Sequence, residues 1–239
     1  MIKLFIGSSS MGEDEQIERT YAYTLNKNCT DDLDITWMRQ SNDKESVWAG
    51  WNATNWSTPF SGFRWAIPEL CEFKGRAIYT DCDMINYRDL RELNEIDMRG
   101  APIAARRGNR FGGHEFCVMV FDCSHPDLDL IPIIRQKMVE GYHHRMINRW
   151  SGNPMVYDLD PRWNTLDGED RPLDDIYQLH YTNMATQPWT PSWYTGQTES
   201  HKRSDIVAEF YDRYQEAVTK KFPWDMTYEE DINYGCIGR

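Results

Sequence analysis

A short apolar run in residues 75–89, GRAIYTDCDMINYRD, ends in two acidic residues. Residues 76–80 follow a glycine and are rich in β-branched and aromatic side chains, which is typical of a buried strand. Because side chains alternate along an extended chain, Asp81 and Asp83 should lie on one side and Cys82 on the other. Paired carboxylates suit Mg²⁺ or Mn²⁺, and open α/β sheets bind ligands at the carboxyl ends of their strands. This pattern predicts an α/β fold with a cation site at that edge.

The segment before this strand carries a candidate anion-binding residue. Residues 60–70 are mostly apolar and are predicted to be helical, and Arg64 is their only basic residue. A guanidinium binds a diphosphate or sugar hydroxyls through several donors at once. The alternative is a surface arginine with a buried aliphatic stem.

Two motifs in the chain resemble a known enzyme family. F-S-x-x-R-x-x-I-P-E-L, K-G-x-A-I-Y-x-D-x-D-M-I and D-L-x-E-L, in residues 60–93, are similar to the donor-binding half of family 8 glycosyltransferases. Residues 180–189, HYTNMATQPW, resemble the family's H-x-x-G-x-x-K-P-W but are one residue longer. They are closer to a bacterial and phage branch with H-x-T-x-M-x-T-Q-P-W. The resemblance implies that Asp81, Asp83 and His180 bind Mn²⁺ or Mg²⁺, and that Gln187 replaces a lysine that contacts the donor diphosphate.

The resemblance also implies the architecture. We expect an α/β, GT-A Rossmann-like nucleotide-binding domain with a mixed central sheet flanked by helices. A chain of 239 residues is long enough for one such domain. We expect a single GT-A-like domain over 1–239, with a nucleotide-sugar donor half at 1–100, an acceptor half at 101–199, and a C-terminal helix and tail at 200–239.

The first strand, predicted at residues 2–6, leads into a serine-rich loop and a helix at 13–26. In similar glycosyltransferases this loop holds the nucleotide, although the aspartate usual near Ser9 is missing, so the base stays open. The alternative is a capping turn before the helix. The full set of residues predicted to bind the donor is Ile6, Gly7, Ser8, Ser9, Arg64, Asp81, Cys82, Asp83 and Gln187.

Further strands are predicted at residues 33–38, which completes a βαβ unit, at 101–105 and at 116–121, the most apolar run in the chain. In the family, the strand at 116–121 begins with Asn-x-Gly. Glu115 and Cys117 occupy those places, so Glu115 is either a replacement catalytic or sugar-binding group or a solvated acid. Residues 39–58 are predicted to form a long loop whose three tryptophans either stack on an acceptor sugar or form a small aromatic core.

The segment 141–148 departs from the family pattern. Family members carry acids that face the reacting sugar, whereas this chain has His143, His144 and Arg145 and keeps only Asn148. Adjacent histidines on a helix diverge by about 100° and do not chelate one ion. Residues 202–221 have helical spacing, and the side predicted to dock comprises Ile206, Val207, Phe210, Tyr214 and Val218.

Composition narrows the classes of partner and compartment. With 26 basic and 38 acidic residues the net charge is −12, which argues against nonspecific binding of nucleic acid. The six cysteines form no C-x-x-C pair, so reduced thiols are expected. No run of about 18 apolar residues occurs, so we expect no transmembrane segment and a cytoplasmic protein.

The resulting functional hypothesis is a metal-dependent glycosyltransferase. It would move a sugar from a nucleotide-diphosphate sugar, with a UDP-sugar as the expected donor, to a glycan or other hydroxyl acceptor with retention of configuration. Glu115, His144 and Arg64 are its candidate catalytic residues. The alternatives are a nucleotide-sugar-binding module with reduced catalysis and a phage glycosyltransferase that modifies DNA bases. A phosphatase of the haloacid-dehalogenase type fits badly, because residues 84–86 lack its expected pattern.

Overall fold

The structure of the protein is a computed structural model. It describes residues 1–10, 12–39, 61–108, 113–130, 136, 140, 156–191, 194–222 and 236–237. The predicted tryptophan loop and the segment with His143, His144 and Arg145 lie outside the described residues, as does most of the predicted helix at 129–142.

The described elements confirm most of the predicted ones. The strands are β1 Ile2–Ser8, β2 Leu33–Arg39, β3 Arg76–Asp81, β4 Met84–Asn86, β5 Ile103–Arg107, β6 His114–Asp122, β7 Val156–Leu159, β8 Thr165–Leu166, β9 Gln178–His180 and β10 Cys236–Ile237. The α-helices are α1 Glu15–Asn28, α2 Ile67–Leu70, α3 Leu90–Asn94 and α4 Ser204–Thr219. Short 3-10 helices cover Phe63–Ala66, Pro126–Leu130, Pro161–Asn164 and Leu173–Asp175.

The large sheet has the order β10-β2-β1-β3-β6-β5-β7 and is mixed. β2, β1 and β3 are parallel, and so are β5 and β7, whereas β6 runs antiparallel to both β3 and β5. The predicted βαβ unit is confirmed, because α1 connects the parallel strands β1 and β2. The sequence pattern did not predict β10, which pairs with the edge strand β2.

Apolar side chains cover both faces of the large sheet, as its helix-covered strands require. Leu4 and Ile6 of β1 pack in one cluster with Tyr21 of α1, while Phe5 packs in another with Trp65 of the 3-10 helix before α2. Alternate side chains of β1 therefore pack against α1 on one face of the sheet and against the 3-10 helix before α2 on the other face. No helix in the described part of the chain is long and apolar enough to cross a membrane.

A second, three-stranded sheet has the order β4-β9-β8. Two residues separate its first strand, β4, from the end of β3, and β4 is antiparallel to β9 whereas β8 is parallel to β9. This small sheet brings the segment around residue 180 next to the acidic end of β3.

Helix α4 docks on a third apolar cluster through a narrower face than predicted. Ile206 and Phe210 are fully buried there, with Trp189 beside them. The prediction for Val218 was wrong, since that side chain is 37% exposed. The carboxyl-terminal half of α4 contacts α1 through polar groups instead, and Lys27 lies 2.8 Å from Glu216.

Candidate active site

The two acidic residues lie where the carboxyl ends of β1 and β3 meet. Asp81 is the last residue of β3 and pairs in register with Gly7 of β1. The backbone N–H of Cys82 donates to the carbonyl of Gly7 at 3.0 Å, and the Cys82 side chain is buried. The loop that follows β1 therefore adjoins the acidic pair, and Cys82 faces the core as the alternation predicted.

His180 reaches this point through the small sheet. Met84 pairs with His180 across β4 and β9, and the next backbone bond runs from the N–H of Tyr181 to the carbonyl of Asp83 at 2.9 Å. As a result, Nε2 of His180 lies 3.1 Å from Oδ1 of Asp83. Residues almost a hundred positions apart in the chain are thus in contact.

Asn164 holds the His180 ring in place. Its Oδ1 lies 2.9 Å from Nδ1 of His180, and Asn164 is fully buried at the end of a 3-10 helix whose first residue is Pro161. An amide oxygen only accepts, so Nδ1 carries a proton and Nε2 faces Asp83. Burial lowers the pKa of His180, but the nearby negative charge of Asp83 outweighs this effect, and the pKa is raised.

The donor set fits a divalent cation. Two ligands of one octahedral Mg²⁺ ion, each about 2.1 Å from it, lie about 3 Å apart, close to the 3.1 Å between His180 and Asp83. Oδ1 of Asp83 is buried and accepts no hydrogen bond of acceptable geometry within the described residues. With Nδ1 protonated, a neutral His180 points a lone pair at this carboxylate, and either a proton or a cation relieves that contact.

Arg64 lies beside Asp81, with its side chain enclosed rather than projecting into solvent. It is 6% exposed, and its guanidinium contacts Oδ1 of Asp81 at 3.0 Å and donates to the carbonyl oxygens of Phe116 and Ser61. The Tyr79 hydroxyl donates to the same Asp81 oxygen at 2.6 Å. These contacts orient the Asp81 carboxylate. Contact between Arg64 and a donor diphosphate stays a prediction.

The serine hydroxyls of the first loop form hydrogen bonds with two buried acids, one on α1 and one just before it. Ser8 donates to Glu18, and Ser9 donates to Oδ2 of Asp14 at 2.5 Å. Burial is the main cause that raises the pKa of Asp14 to about 6, and the charges of Asp83 and Glu18 add to it. Both hydroxyls have these protein partners, so their contact with a nucleotide stays a prediction.

Gln187 carries a buried donor. Its backbone N–H donates to the carbonyl of Asn183 at 3.0 Å, whereas its side-chain Nε2 is buried and has no hydrogen-bond partner within the described residues. Trp189, two residues on, is buried and donates to Asp14 at 3.4 Å. This loop therefore packs against the start of α1 and adjoins the first loop.

Of the two remaining candidate catalytic residues, Glu115 is among the described residues and His144 is not. Nε of Arg106 lies 3.8 Å from Oε2 of Glu115, whose side chain is 28% exposed. His144 lies outside the described residues. The catalytic roles of Glu115 and His144 stay predictions.

Cys117 is a site residue that sequence reasoning did not assign. One ligand atom each from Asp81, Cys117 and His180 lie within 4.8 Å of one another. Burial, with the charge of Asp81, raises the pKa of the Cys117 thiol. Its position follows from the pairing of β3 with β6, which a single sequence does not specify. Tyr79 had a readable signal, because a residue two before Asp81 shares its face of the strand.

A cleft of about 540 Å³ lies between the end of β5, the start of the 3-10 helix at Pro161 and residues 169–175. Arg106, Glu169, Arg171 and Asp175 are among its lining residues, and their charges are paired across it, Arg106 with Glu169 and Arg171 with Asp175 at 2.6 Å. Arg106 also donates to the backbone carbonyl of Asn164. The wall of the cleft is therefore joined to the residue that holds His180.

Solved structures of glycosyltransferases share this fold. The glycosyltransferase GlyE from Streptococcus pneumoniae TIGR4 matches 92% of this chain and 64% of its own, with a TM-score of 0.63 and 17% identity. The galactosyltransferase LgtC, in complex with donor and acceptor sugar analogues, matches 90% of this chain and 96% of its own, with a TM-score of 0.62 and 10% identity. At these identities the likeness shows the fold alone, and the predicted GT-A fold is confirmed.

A sequence relative covers part of the chain. Protein CDI from Arabidopsis thaliana is 26% identical over an alignment 159 residues long, which covers 57% of this chain and 60% of that protein. No family model matches the chain. Membership of glycosyltransferase family 8 therefore stays a prediction.

Proposed function

We propose that this protein transfers a sugar from a nucleotide-diphosphate sugar to a hydroxyl acceptor and that it requires a divalent cation. The observation that carries the proposal is the meeting of Asp81, Asp83 and His180 at the carboxyl ends of the central strands. The likeness of the fold to GlyE and LgtC supports the same reaction class.

The three residues would hold Mn²⁺ or Mg²⁺ in a set of oxygen and nitrogen ligands. When bound, such an ion supplies positive charge to the diphosphate that leaves as the sugar bond breaks. Asn164 keeps the ring of His180 turned towards Asp83, and Arg64 with Tyr79 keeps Asp81 in one orientation. The protein thus contributes a fixed electrostatic environment rather than a strong nucleophile.

The donor would lie against the first loop and the loop that carries Gln187. Ile6 and Cys82 are buried, so the proposal uses only their backbone groups, together with Gly7. For Ser8 and Ser9 it requires that a nucleotide exchange with their present partners, Glu18 and Asp14. Nε2 of Gln187, which has no hydrogen-bond partner among the described residues, suits a phosphate oxygen. A UDP-sugar is the proposed donor, as the resemblance implies.

The acceptor would enter through the cleft beside Arg106. Paired charges along its wall offer both donors and acceptors to a polyhydroxyl ligand without a net charge that favours an anion. Glu115, whose carboxylate lies 3.8 Å from Arg106, is the first side chain proposed to assist, and His144 is the second. Retention of configuration is proposed from the resemblance, and NMR of the freshly formed anomeric linkage tests it.

A panel of nucleotide sugars provides the main test. Each sugar is first screened for a shift in melting temperature with and without Mn²⁺, and those that bind are assayed for release of the nucleoside diphosphate. We expect turnover that requires the cation, disappears in Asp83→Asn and His180→Ala, and persists in Asp212→Asn, which alters an exposed acid of α4. Cation-independent turnover, or full activity in both site variants, would refute the proposal.

The same assay separates the two alternatives. Tight binding of a nucleotide sugar without turnover would identify a binding module with lost catalysis. Transfer to modified bases in DNA but not to glycans would identify a DNA-modifying enzyme. The net charge of −12 makes binding of duplex DNA through a basic face unfavourable.

A further inference from the structure

Strand pairing places a thiol next to the acidic residue that ends β3. Thr80 of β3 pairs with Val118 of β6, so the next position of the antiparallel ladder sets Asp81 opposite Cys117. Directly opposed side chains have Cβ atoms about 4.5–5.5 Å apart. Cys117 as a residue is partly exposed, although its thiol group is enclosed.

The thiol, a carboxylate and an imidazole lie close enough to share one ion. The ligand atoms of Asp81, Cys117 and His180 are within 4.8 Å of one another. Around a tetrahedral Zn²⁺ ion, with bonds of about 2.0–2.3 Å, ligand atoms lie about 3.3–3.8 Å apart. The three atoms therefore need to close by about 1 Å at most to reach that spacing, and Asp83 already contacts His180 at 3.1 Å.

We propose that Cys117 is a further ligand of the cation site and raises the affinity of that site for thiophilic divalent ions such as Zn²⁺, Co²⁺ and Cd²⁺. The inference rests on the cation site of the proposed function but not on sugar transfer. On binding, the S–H proton leaves to solvent and a sulfur–metal bond forms, with no change in oxidation state. Asp81, Asp83 and His180 alone would present a harder set of ligands, suited to Mg²⁺ or Mn²⁺.

Zn²⁺ binds most sites more tightly than Mn²⁺, so a simple preference for Zn²⁺ does not identify a thiol ligand. The informative quantity is the change in that preference when the sulfur is removed. Cys117→Ser should lower Zn²⁺ affinity by at least the roughly 10-fold that loss of an outer-shell partner costs a metal site. Mn²⁺ affinity should stay unchanged, and Cys117→Asp should shift the preference towards Mn²⁺.

Co²⁺ gives a direct signature of the sulfur. The full chain, stripped with a chelator, is titrated with Co²⁺, and we expect a thiolate-to-cobalt charge-transfer band in the near ultraviolet. The band should vanish in Cys117→Ser and persist in Cys29→Ser, whose buried thiol lies before β2 at the opposite end of the sheet. No band in the unmodified protein, or an unchanged band in Cys117→Ser, would overturn the inference.

A second experiment uses the unmodified chain, so its result does not depend on whether a variant folds. Zn²⁺ should protect Cys117 from alkylation by N-ethylmaleimide, read by peptide mass spectrometry, whereas Mg²⁺ should not. Equal labelling with and without Zn²⁺ contradicts a sulfur–metal bond. If the band and the protection are present but no nucleotide sugar turns over, the proposed function fails while this inference stands.

Discussion

The carboxyl group of Asp14 should make stability fall as pH rises. Asp14 is 7% exposed, accepts from Ser9 at 2.5 Å and lies near the charges of Asp83 and Glu18. Its pKa rises from 3.8 to about 6, chiefly because burial disfavours the carboxylate. At 1.36 kcal/mol for each pH unit, that difference corresponds to about 3 kcal/mol.

The sign follows from proton linkage. Because the folded-state pKa of Asp14 is the higher one, the native state keeps its proton over a range in which the unfolded chain has lost it. The cost of the buried carboxylate is therefore absent below pH 3.8 and complete above a pH of about 6. Asp14→Asn removes the charge and keeps an acceptor for Ser9, and no helix cap is lost because the Asp14 side chain makes no capping bond.

Urea unfolding of both proteins with a chelator present, from about pH 4 to 7.5, measures this cost. We expect Asp14→Asn to match the original protein at the acid end and to exceed its free energy of unfolding by about 3 kcal/mol at the alkaline end. Asp212→Asn, on the exposed face of α4, should show no such trend. A difference independent of pH, or one of the opposite slope, would refute the reasoning about burial.

Three further outcomes are expected. Asn164→Ala should weaken divalent-ion binding by roughly 10- to 100-fold in calorimetric titration, because it frees the ring of His180; unchanged affinity would contradict the orienting role. Arg64→Met should cost about 3–5 kcal/mol in urea unfolding, since it leaves Asp81 without its enclosed partner; a loss under 1 kcal/mol would mean that solvent screens the pair. Phe210→Ala should cost about 3–5 kcal/mol with an unchanged denaturant slope, and a changed slope would indicate loss of the α4 dock rather than a cavity.

The sequence predicted where the helices and strands lie better than it predicted which groups they pack against. Apolar side chains recur every two residues in strands and every 3.6 residues in helices, and these periods depend on local chemistry. The first strand, the βαβ unit and the helix from Ser204 were therefore predicted with boundaries off by only a few residues. The docking face of that helix was less accurate. Val218 fits the apolar period but is exposed, because the end of α4 meets polar groups of α1.

The sequence alone determined that the chain forms an α/β fold with two carboxylates at the end of a buried strand, since alternation along β3 is a property of the local backbone. Only the tertiary structure decided which groups join them. The pairing of β4 with β9 brings His180 to Asp83, and the pairing of β3 with β6 brings Cys117 to Asp81. Such contacts depend on strand order and register, which arise from burial summed over the whole chain rather than from any one segment.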